Sequence, residues 1–293
     1  MYRLSPSRRL FLICNYIVLS GLSVICLLPL INILAISFSS SGPAIANLVK
    51  FWPVEFTFSS YKFIMHKQEF LTAMVVTLKR FSLGTIISMV LTLLAAYALS
   101  KEESAFKGRT LYAWIFMLTI LFNGGLIPWY IAINQTGMLD TIWALVIPNA
   151  VQVFNVILLL NFFRGLPKEL EEAAFIDGAS HLTTLIRVFI PVSAPALATI
   201  TLFTIVYHWN SWFDGLLLMN SPAHYPLQSY LQTVTTVRDL TLVSSQSLND
   251  LKDVSDRTSK SAQLFLGALP ILFAYPFLQR YFIKGIVLGS VKE

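Results

Sequence analysis

The fold is decided first by residues 10–36, which read LFLICNYIVLSGLSVICLLPLINILAI. This stretch contains no Asp, Glu, Lys or Arg, and a single helical crossing of a bilayer needs only about 20 apolar residues. A secretory signal peptide has an apolar region of roughly 7–15 residues. We therefore interpret the stretch as a retained membrane anchor, although Arg3, Arg8 and Arg9 before it resemble the basic start of such a leader.

Five further stretches are long and apolar enough to cross a bilayer as helices. A closed β-barrel also spans lipid, but its strands are alternating segments of about ten residues, and the apolar runs here are longer and continuous. The sequence therefore predicts an all-α membrane protein, a bundle of six transmembrane helices that forms one transmembrane domain over residues 1–293. The predicted spans are approximately 10–36, 72–99, 110–133, 142–163, 193–219 and 264–283.

The composition points to the same class of protein. Hydrophobic residues make up 56% of the chain and charged residues only 12%, whereas soluble domains carry about 25% charged residues. A soluble globule, a disordered chain, a collagen-like chain and a disulfide scaffold are therefore excluded. The net charge is +6, but no run of four or more Lys and Arg occurs. We expect a lipid bilayer and no nucleic acid as the partner.

The distribution of Lys and Arg predicts the orientation, because short cytoplasmic loops carry an excess of positive charge. With the N-terminus inside, twelve of the 21 Lys and Arg residues lie in predicted cytoplasmic pieces. The short outside turn at 134–141 contains none, so both termini are predicted to lie in the cytoplasm. The twelve residues are Arg3, Arg8, Arg9, Lys101, Lys107, Arg109, Arg164, Lys168, Arg187, Arg280, Lys284 and Lys292.

Two charges do not fit the second predicted span. Lys79 and Arg80 lie inside residues 72–99, and a charge at the depth of the bilayer is costly. One interpretation is that the apolar core of this span is Phe81–Leu99, with residues 71–80 in or above the outer membrane interface.

The segment between the fourth and fifth spans, residues 164–191, predicts a helix, a turn and a second helix. Pro167 suits the first helical position, and three glutamates follow where the helix dipole favours negative charge. Gly178 permits the turn, Ser180 is a candidate N-cap, and Pro191 is expected to end the second helix. One face of the first helix carries mostly small side chains, namely Leu166, Leu170, Ala173, Ala174 and Asp177. The residues alone leave open whether another protein docks there or the segment packs under its own bundle.

Three short strings in this segment stand in the order and spacing of a known motif: Glu172-Ala173-Ala174, Asp177-Gly178-Ala179 and Ile190-Pro191. The segment resembles the EAA motif of ABC-importer permeases, which use it as a coupling helix in a cleft of a separate ATPase subunit. One conservative departure is Ile190, where the motif usually has Leu. We call residues 164–191 the coupling segment. The resemblance implicates Glu171, Glu172, Ala173, Ala174, Asp177, Gly178, Ala179 and Pro191 in coupling to the ATPase.

Further strings, spread over most of the chain, are similar to those of carbohydrate permeases of the maltose-type family. They resemble most closely the lipoprotein- and polysaccharide- (alginate-) type permeases. The implied fold is the six-helix bundle of binding-protein-dependent (type I) ABC importers, and the implied substrate is an oligosaccharide or a polysaccharide such as alginate. The strings are Asn123–Trp129, Leu139–Leu145, Asn161–Arg164, Trp209–Phe213, Tyr225–Gln228 and Gln279–Gly285.

The resemblance also implies a division of labour among subunits. Two homologous permease subunits form one translocation pathway, and this chain supplies half of it because it holds one EAA motif. Two ATPase subunits bind ATP and Mg²⁺ and drive transport from the cytoplasm, while an extracellular or periplasmic binding protein delivers substrate. The implied location is the bacterial cytoplasmic (inner) membrane, which the chain crosses several times.

The sequence predicts no catalytic chemistry on this chain. It contains no G-x-x-x-x-G-K-[ST] phosphate-binding loop, so we expect ATP hydrolysis on a partner, and we expect neither enzymatic activity nor a cofactor here. The histidines His66, His181, His208 and His224 have no ligand-like spacing, and no H-E-x-x-H or paired-cysteine site is present. No metal site is therefore predicted.

Polar residues inside the spans are candidates for the substrate pathway. Amide and carboxylate groups together with aromatic faces suit a saccharide. The alternative for each residue is hydrogen bonding between helices, which contributes about 0.6 kcal/mol on average in membranes. Asp214 is the most informative candidate, because a charge at the depth of a span is costly and usually functional. The candidates are Asn149, Gln152, Asn155, Tyr207, Trp209, Asn210, Trp212 and Asp214.

Three functions are possible for such a membrane protein: an importer permease, a secondary transporter, and a scaffold or sensor. An importer permease predicts ATP-driven alternating access through the coupling segment. A secondary transporter driven by an ion gradient predicts intramembrane acid–base relays and often repeated halves with broken helices, and neither is evident from the sequence. A membrane scaffold or sensor predicts no uptake at all. Uptake into vesicles energised by ATP or by an ion gradient separates the first two.

Overall fold

The computed structural model describes residues 6–236 and 254–290. Arg3 and Lys292, which entered the orientation argument, lie outside the described residues. Within those ranges the protein is almost entirely helical, and the only β pairing there is an isolated antiparallel bridge between Ser39 and Phe56. The all-α prediction is confirmed for this part of the chain.

The α-helices are labelled in chain order. A 3₁₀ turn, Ile147–Asn149, follows α7, a π-helical turn, Leu185–Phe189, joins α10 to α11, and a second 3₁₀ turn, Pro222–His224, precedes α14. The helices are α1 (Pro6–Ser37), α2 (Ser41–Ile45), α3 (Ser59–His66), α4 (Gln68–Ser100), α5 (Arg109–Leu121), α6 (Leu126–Gln135), α7 (Ile142–Val146), α8 (Val153–Arg164), α9 (Glu169–Ile176), α10 (His181–Thr184), α11 (Ile190–Val192), α12 (Ala194–Asn210), α13 (Phe213–Leu218), α14 (Leu227–Thr236) and α15 (Asp256–Ser290).

The chain divides into two compact units. One contains the residues up to Phe70 together with Leu231–Leu269, and the other contains Leu71–Tyr230 and the residues from Pro270 onward. In the first unit, α1 buries only its last three residues, from Ala35 to Ser37. Most of its other apolar side chains are exposed and the rest are half-buried, as expected for a helix whose surroundings are lipid or another membrane protein.

The segment after α1 in the first unit is held by an aromatic cluster. The rings of Phe38, Phe56, Phe58 and Tyr61 pack with centroids 4.7–5.5 Å apart. Such offset and edge-to-face contacts add specific geometry to apolar burial. These ring contacts hold the end of α1 and the start of α3 together.

The core of the second unit lies where α4, α8 and α12 meet. Its buried residues include Tyr97 of α4, Phe163 of α8, Phe189 of the π-helical turn and Ile200 of α12. The rings of Tyr97, Phe163 and Phe189 meet edge to face, with centroids 5.0–6.5 Å apart. This packing fixes the C-terminal end of α4 beside the coupling segment.

Two helices in the described residues are each long and apolar enough to cross a membrane, namely α1 and α4. They contain the first two predicted spans. α4 runs without a break through Lys79 and Arg80, so residues 71–80 are helical and continuous with the rest of that span. The number of possible crossings rises to five if each of three bent helix pairs counts as one span.

The third and fourth predicted spans are each divided into two helices. α5 and α6 meet at an angle of 120°, and α7 with its 3₁₀ turn meets α8 at 44°. The first break contains Gly125 with a φ of +88°, a conformation that favours glycine. Pro148, which lacks a backbone N–H, lies in the 3₁₀ turn just before the second break. An apolar run indicates that a segment lies in lipid, but it does not indicate that the segment is straight.

The fifth predicted span, 193–219, is also interrupted. α12 follows α10–α11 after a bend of 88° and ends at Asn210, and α13 begins at Phe213 after two non-helical residues. The sixth predicted span, 264–283, lies within α15.

Candidate functional site

The coupling segment forms a short helix, a tight turn and a second helix, as the sequence predicts. α9 ends in a Schellman arrangement: the amide of Ala179 donates to the carbonyl of Ala174 at 2.9 Å, and that of Gly178 donates to the carbonyl of Phe175 at 3.0 Å. Gly178 adopts a φ of +78°, a backbone conformation that glycine adopts readily because it has no Cβ atom. The predicted role of Gly178 in the turn is confirmed.

The second helix of the segment begins as predicted. The side-chain oxygen of Ser180 accepts a hydrogen bond from the amide of Thr183 at 3.3 Å, so Ser180 is the N-cap of α10. The same side chain also lies 3.0 Å from the hydroxyl of Thr183. An N-cap of this kind satisfies a helix amide that has no partner within the helix.

Two predicted boundaries of the segment are wrong. Pro191 lies inside the second helix, which continues to Val192. In the preceding π-helical turn the amide of Ile190 donates to the carbonyl of Leu185, and this wider turn accommodates a proline that has no N–H of its own. α9 begins at Glu169 rather than at Pro167, a shift of two residues, which is common at helix ends.

α9 leaves most of its side chains exposed. Glu172 and Ala173 are exposed, whereas Glu171 and Ala174 are half-buried. The apolar side chains of Leu170 and Phe175 are also exposed, and Ile176 has 86% of its surface accessible. Apolar side chains grouped on one short exposed helix indicate a surface that another molecule covers. Of the other motif residues, Asp177 and Gly178 are exposed and Ala179 is half-buried.

One glutamate of α9 turns inward and meets a cation on the residue that directly follows the C-terminal end of α4. Glu171 forms an ion pair with Lys101, whose Nζ lies 3.7 Å from the ring centroid of Tyr97 and 4.5 Å from that of Phe189. Both rings are close enough for cation–π attraction. Burial lowers the pKa of the Lys101 amine, while the hydrogen bond and the charge of Glu171 act in the opposite direction.

The candidate pathway residues of the fifth span divide into an exposed set and a buried set. Tyr207, Asn210 and Trp212 are exposed. Trp209 is buried and meets the ring of Phe81 edge to face at 6.3 Å. The exposed set combines two aromatic rings and an amide, which is a suitable combination for contact with a sugar.

Asp214, the most informative pathway candidate, is buried in an ion pair with Arg80 of α4. Both terminal nitrogens of Arg80 donate to the Asp214 carboxylate, one of them at 3.0 Å, and one also donates to the carbonyl of Ser211 at 3.2 Å. The side chain of Arg80 has no accessible surface. The ion pair therefore joins the non-helical step between α12 and α13 to α4.

Of the three candidates in the fourth span, Asn155 makes a hydrogen bond to another helix. The amide of Asn155 is buried and donates to the side-chain oxygen of Gln152 at 2.7 Å and to the hydroxyl of Thr204 in α12 at 3.2 Å. This is the interhelical hydrogen bonding that the sequence left open as an alternative. Gln152 and Asn149 are half-buried.

Three features were missed by the sequence analysis. Lys101 was used only as an orientation signal, and Arg80 was noted as misplaced but not paired with Asp214. The third is the contact of His208 with Gly84, where a Cβ atom would come within 2.5–2.7 Å of the imidazole ring. Charges inside an apolar run usually have a partner, so Arg80 and Asp214 could have been paired from that signal.

The described residues contain no group of three or more His, Cys, Asp and Glu side chains arranged to hold a metal ion.

Comparisons with known proteins place this geometry among membrane transport components. Residues 104–287 match the family described as binding-protein-dependent transport system inner membrane component. Protein LplC of Bacillus subtilis (strain 168) is 38% identical over 97% of this chain and 95% of its own length. The polygalacturonan/rhamnogalacturonan transport system permease protein YtcP of the same organism is 35% identical over 97% of this chain and 99% of its own length.

A solved structure is also similar along almost the whole chain. It is the crystal structure of a bacterial ABC transporter involved in the import of the acidic polysaccharide alginate. One chain of that transporter is 32% identical, with a TM-score of 0.89 over 96% of this chain and 100% of its own length.

Proposed function

The chain belongs to the family of binding-protein-dependent transport system inner membrane components, and on that premise we propose that it forms half of the translocation pathway of an ATP-driven importer of oligosaccharides or polysaccharides. It is a permease subunit of an ABC importer and not itself an ATPase. Its sequence has no phosphate-binding loop, so ATP and Mg²⁺ bind to partner subunits.

The arrangement in the membrane follows from this function. The chain crosses the bacterial cytoplasmic membrane six times as one permease domain, with both termini in the cytoplasm. Three of the six crossings contain breaks, and the excess of Lys and Arg in short loops favours this orientation. The coupling segment then faces the cytoplasm, and the break between α12 and α13 lies toward the outside.

The observation that carries the proposal is the exposure of α9. A short helix that ends at a glycine turn and presents Leu170, Phe175 and Ile176 to its surroundings is built to enter a cleft of another protein. We assign that cleft to an ATPase subunit. Movement of the cleft during the nucleotide cycle shifts α9, and the bundle alternates between inward and outward access because the two states differ in their contacts.

The substrate class rests on two supports. One similar protein is named for polygalacturonan/rhamnogalacturonan transport, and the similar solved structure is of a transporter involved in the import of alginate. In addition, Tyr207, Asn210 and Trp212 offer exposed aromatic and amide groups within the predicted fifth span. We assign these three residues to the substrate pathway, with Asn149 and Gln152 as further contacts. A second homologous permease supplies the other half, and an extracellular or periplasmic binding protein delivers the substrate.

The test is uptake into proteoliposomes that contain this chain, the partner permease and two ATPases, with the binding protein outside and ATP inside. Oligosaccharides of alginate and of polygalacturonan serve as probes. We expect uptake that requires ATP and is insensitive to ionophores. Uptake that persists without ATP and collapses with the ion gradient would establish the alternative, a secondary transporter. No uptake of any oligosaccharide would contradict the saccharide assignment.

A further inference from the structure

The ion pair between Lys101 and Glu171 is the most enclosed charge on the coupling side of the second unit. Lys101 has only 9% of its surface accessible, and its amine is surrounded by the Glu171 carboxylate and the rings of Tyr97 and Phe189. A charge held this closely has little freedom, because loss of either the carboxylate or the cation leaves an uncompensated buried group. The first turn of α9 is thus tied to the residue that directly follows the C-terminal end of α4.

Two arginines also hold the backbone at the C-terminal end of α4. The guanidinium of Arg109 donates to the carbonyl of Lys101 at 3.0 Å, and that of Arg164 donates to the carbonyl of Leu99 at 3.1 Å. These carbonyls belong to the C-terminal end of a helix, where cations are favoured by the helix dipole. A displacement of Lys101 is therefore transmitted to the helix end and is not absorbed by a loose loop.

α4 connects this end to the break in the fifth span. It is an unbroken helix of 33 residues, which corresponds to about 50 Å. Farther along the same helix, Arg80 holds Asp214 and the carbonyl of Ser211. One continuous helix thus links the ion pair at its C-terminal end, which involves α9, with the ion pair at Arg80, which involves the step between α12 and α13.

The neighbouring charges show that this arrangement is specific to Glu171. Lys168 and Glu102 also pair between the same two regions, but their side chains are 76% and 65% accessible, and such surface pairs contribute little. Glu172, the next residue along α9, is exposed. Of the charged residues in α9, Glu171 is thus the one directed into its own chain, while Glu172 is available to a partner.

We propose that Lys101 is a positioning residue for transport, the joint through which movement of α9 displaces α4. This inference rests on the proposed function. It separates two tasks within the adjacent glutamates: Glu172 faces the partner, and Glu171 passes the movement of α9 into the bundle through Lys101.

The experiment compares Lys101→Met, Lys101→Arg and the matched exposed control Lys168→Met in the reconstituted complex of all subunits. The measured quantities are co-purification of the ATPases, ATP hydrolysis without substrate, and the ratio of oligosaccharide imported to ATP hydrolysed. We expect Lys101→Met to retain assembly and hydrolysis while the import ratio falls about tenfold or more, within the usual range of coupling between sites. Lys101→Arg, which keeps the charge and the contact with the rings, restores most of the ratio, and Lys168→Met leaves it unchanged.

A second experiment replaces the ion pair with a covalent bridge. The import ratio should respond to this bridge only if Lys101 transmits movement, and not if its role is merely structural. Lys101→Cys and Glu171→Cys are combined in a chain whose native Cys14 and Cys26 are replaced by serine, and a short bifunctional thiol reagent then bridges them. We expect the import ratio to be low before bridging and to recover afterwards.

Each contrary result has a distinct meaning. An unchanged import ratio in Lys101→Met would contradict the proposed role of Lys101 and leave the proposed function intact. Loss of the ATPases from the Lys101→Met complex would also overturn it, because the residue would then shape the docking surface and not transmit movement. Absence of ATP-driven uptake by the wild-type complex would overturn the proposed function, and the joint with it.

Discussion

Glu172 and Asp177 of the coupling segment and Asp214 at the step between α12 and α13 are all acidic, yet their surroundings are opposite. In the coupling segment Glu172 and Asp177 are exposed, whereas at the step Asp214 is buried against Arg80. An exposed charge beside exposed apolar groups is available to a partner, and a buried pair fixes the geometry of its own chain. Substitutions of the exposed acidic residues should therefore affect coupling, and substitutions of the buried pair should affect stability.

The largest expected effect is on stability at the step. Asp214→Ala leaves Arg80 as a buried charge without its carboxylate, which is expected to cost about 3–5 kcal/mol. The midpoint of thermal unfolding of the purified protein in detergent should fall accordingly.

A double variant distinguishes the pair from the loss of either partner. Arg80→Met combined with Asp214→Leu removes both charges and is expected to recover most of the lost stability, because apolar replacements of a buried pair are often neutral. A double variant as unstable as Asp214→Ala would show that the carboxylate has another role.

The next effect is on coupling and not on stability. Glu172→Lys reverses a charge on the exposed surface of α9. At an interface, placing like charges together or removing one partner of a charge pair weakens binding. We expect uptake and the stimulation of ATP hydrolysis by the loaded binding protein to fall by about tenfold or more, with an unfolding midpoint close to that of the wild type. Wild-type stimulation in this variant would remove the distinction between the two regions.

A smaller effect is expected at the glycine turn of the coupling segment. In Gly178→Ala a Cβ atom would meet nothing within 4 Å, so the cost comes only from the positive φ and is about 1–2 kcal/mol. Uptake should fall partially, because the turn is strained but the surface of α9 is kept. Gly84→Ala is the contrasting variant, since its cost arises from contact with His208; equal insensitivity of both variants would contradict the structure.

The smallest effect concerns an exposed pair outside both regions. The carboxylate of Asp140 accepts from the amide of Asn220 at 2.9 Å and lies 2.8 Å from Nδ1 of His224, and these hydrogen bonds lower the pKa of Asp140. Its contribution to stability is therefore present above the ordinary pKa of an aspartate and is lost as the pH falls through the lower pKa of the folded protein. The effect is small because solvent screens exposed groups.

The measurement for this pair is the unfolding midpoint at several acidic pH values. Asp140→Asn should flatten the acid dependence slightly relative to the wild type. An identical acid dependence in the two proteins would show that the hydrogen bonds of Asp140 do not persist in solution.

The sequence was most informative where local chemistry decides the structure. The glycine turn at Gly178, the N-cap at Ser180 and the helical nature of the apolar stretches follow from backbone conformation and apolar burial, which short sequence windows contain. The break between α5 and α6 and the continuation of the helix past Pro191 depend on packing and on the π-helical turn, which single residues do not reveal.

The sequence was least informative about which polar side chains find partners far along the chain. Asp214 lies 134 residues from Arg80, and Glu171 lies 70 residues from Lys101. A polar residue at the depth of a span looks the same in sequence whether it meets a sugar or another helix, and only the fold brings its partner near. Tyr207, Asn210 and Trp212 therefore remain pathway candidates by exposure, while Asn155 and Asp214 are explained by contacts within the chain.

The most direct test of the central claim is photocrosslinking from α9 in the assembled transporter. A photoreactive amino acid replaces Ile176, and a matched control replaces the equally apolar, exposed Leu111 of α5. We expect a crosslink from position 176 to the ATPase subunit and none from position 111. A position 176 that forms no crosslink to the ATPase, or that reacts with a membrane-impermeant reagent from outside the cell, would contradict it.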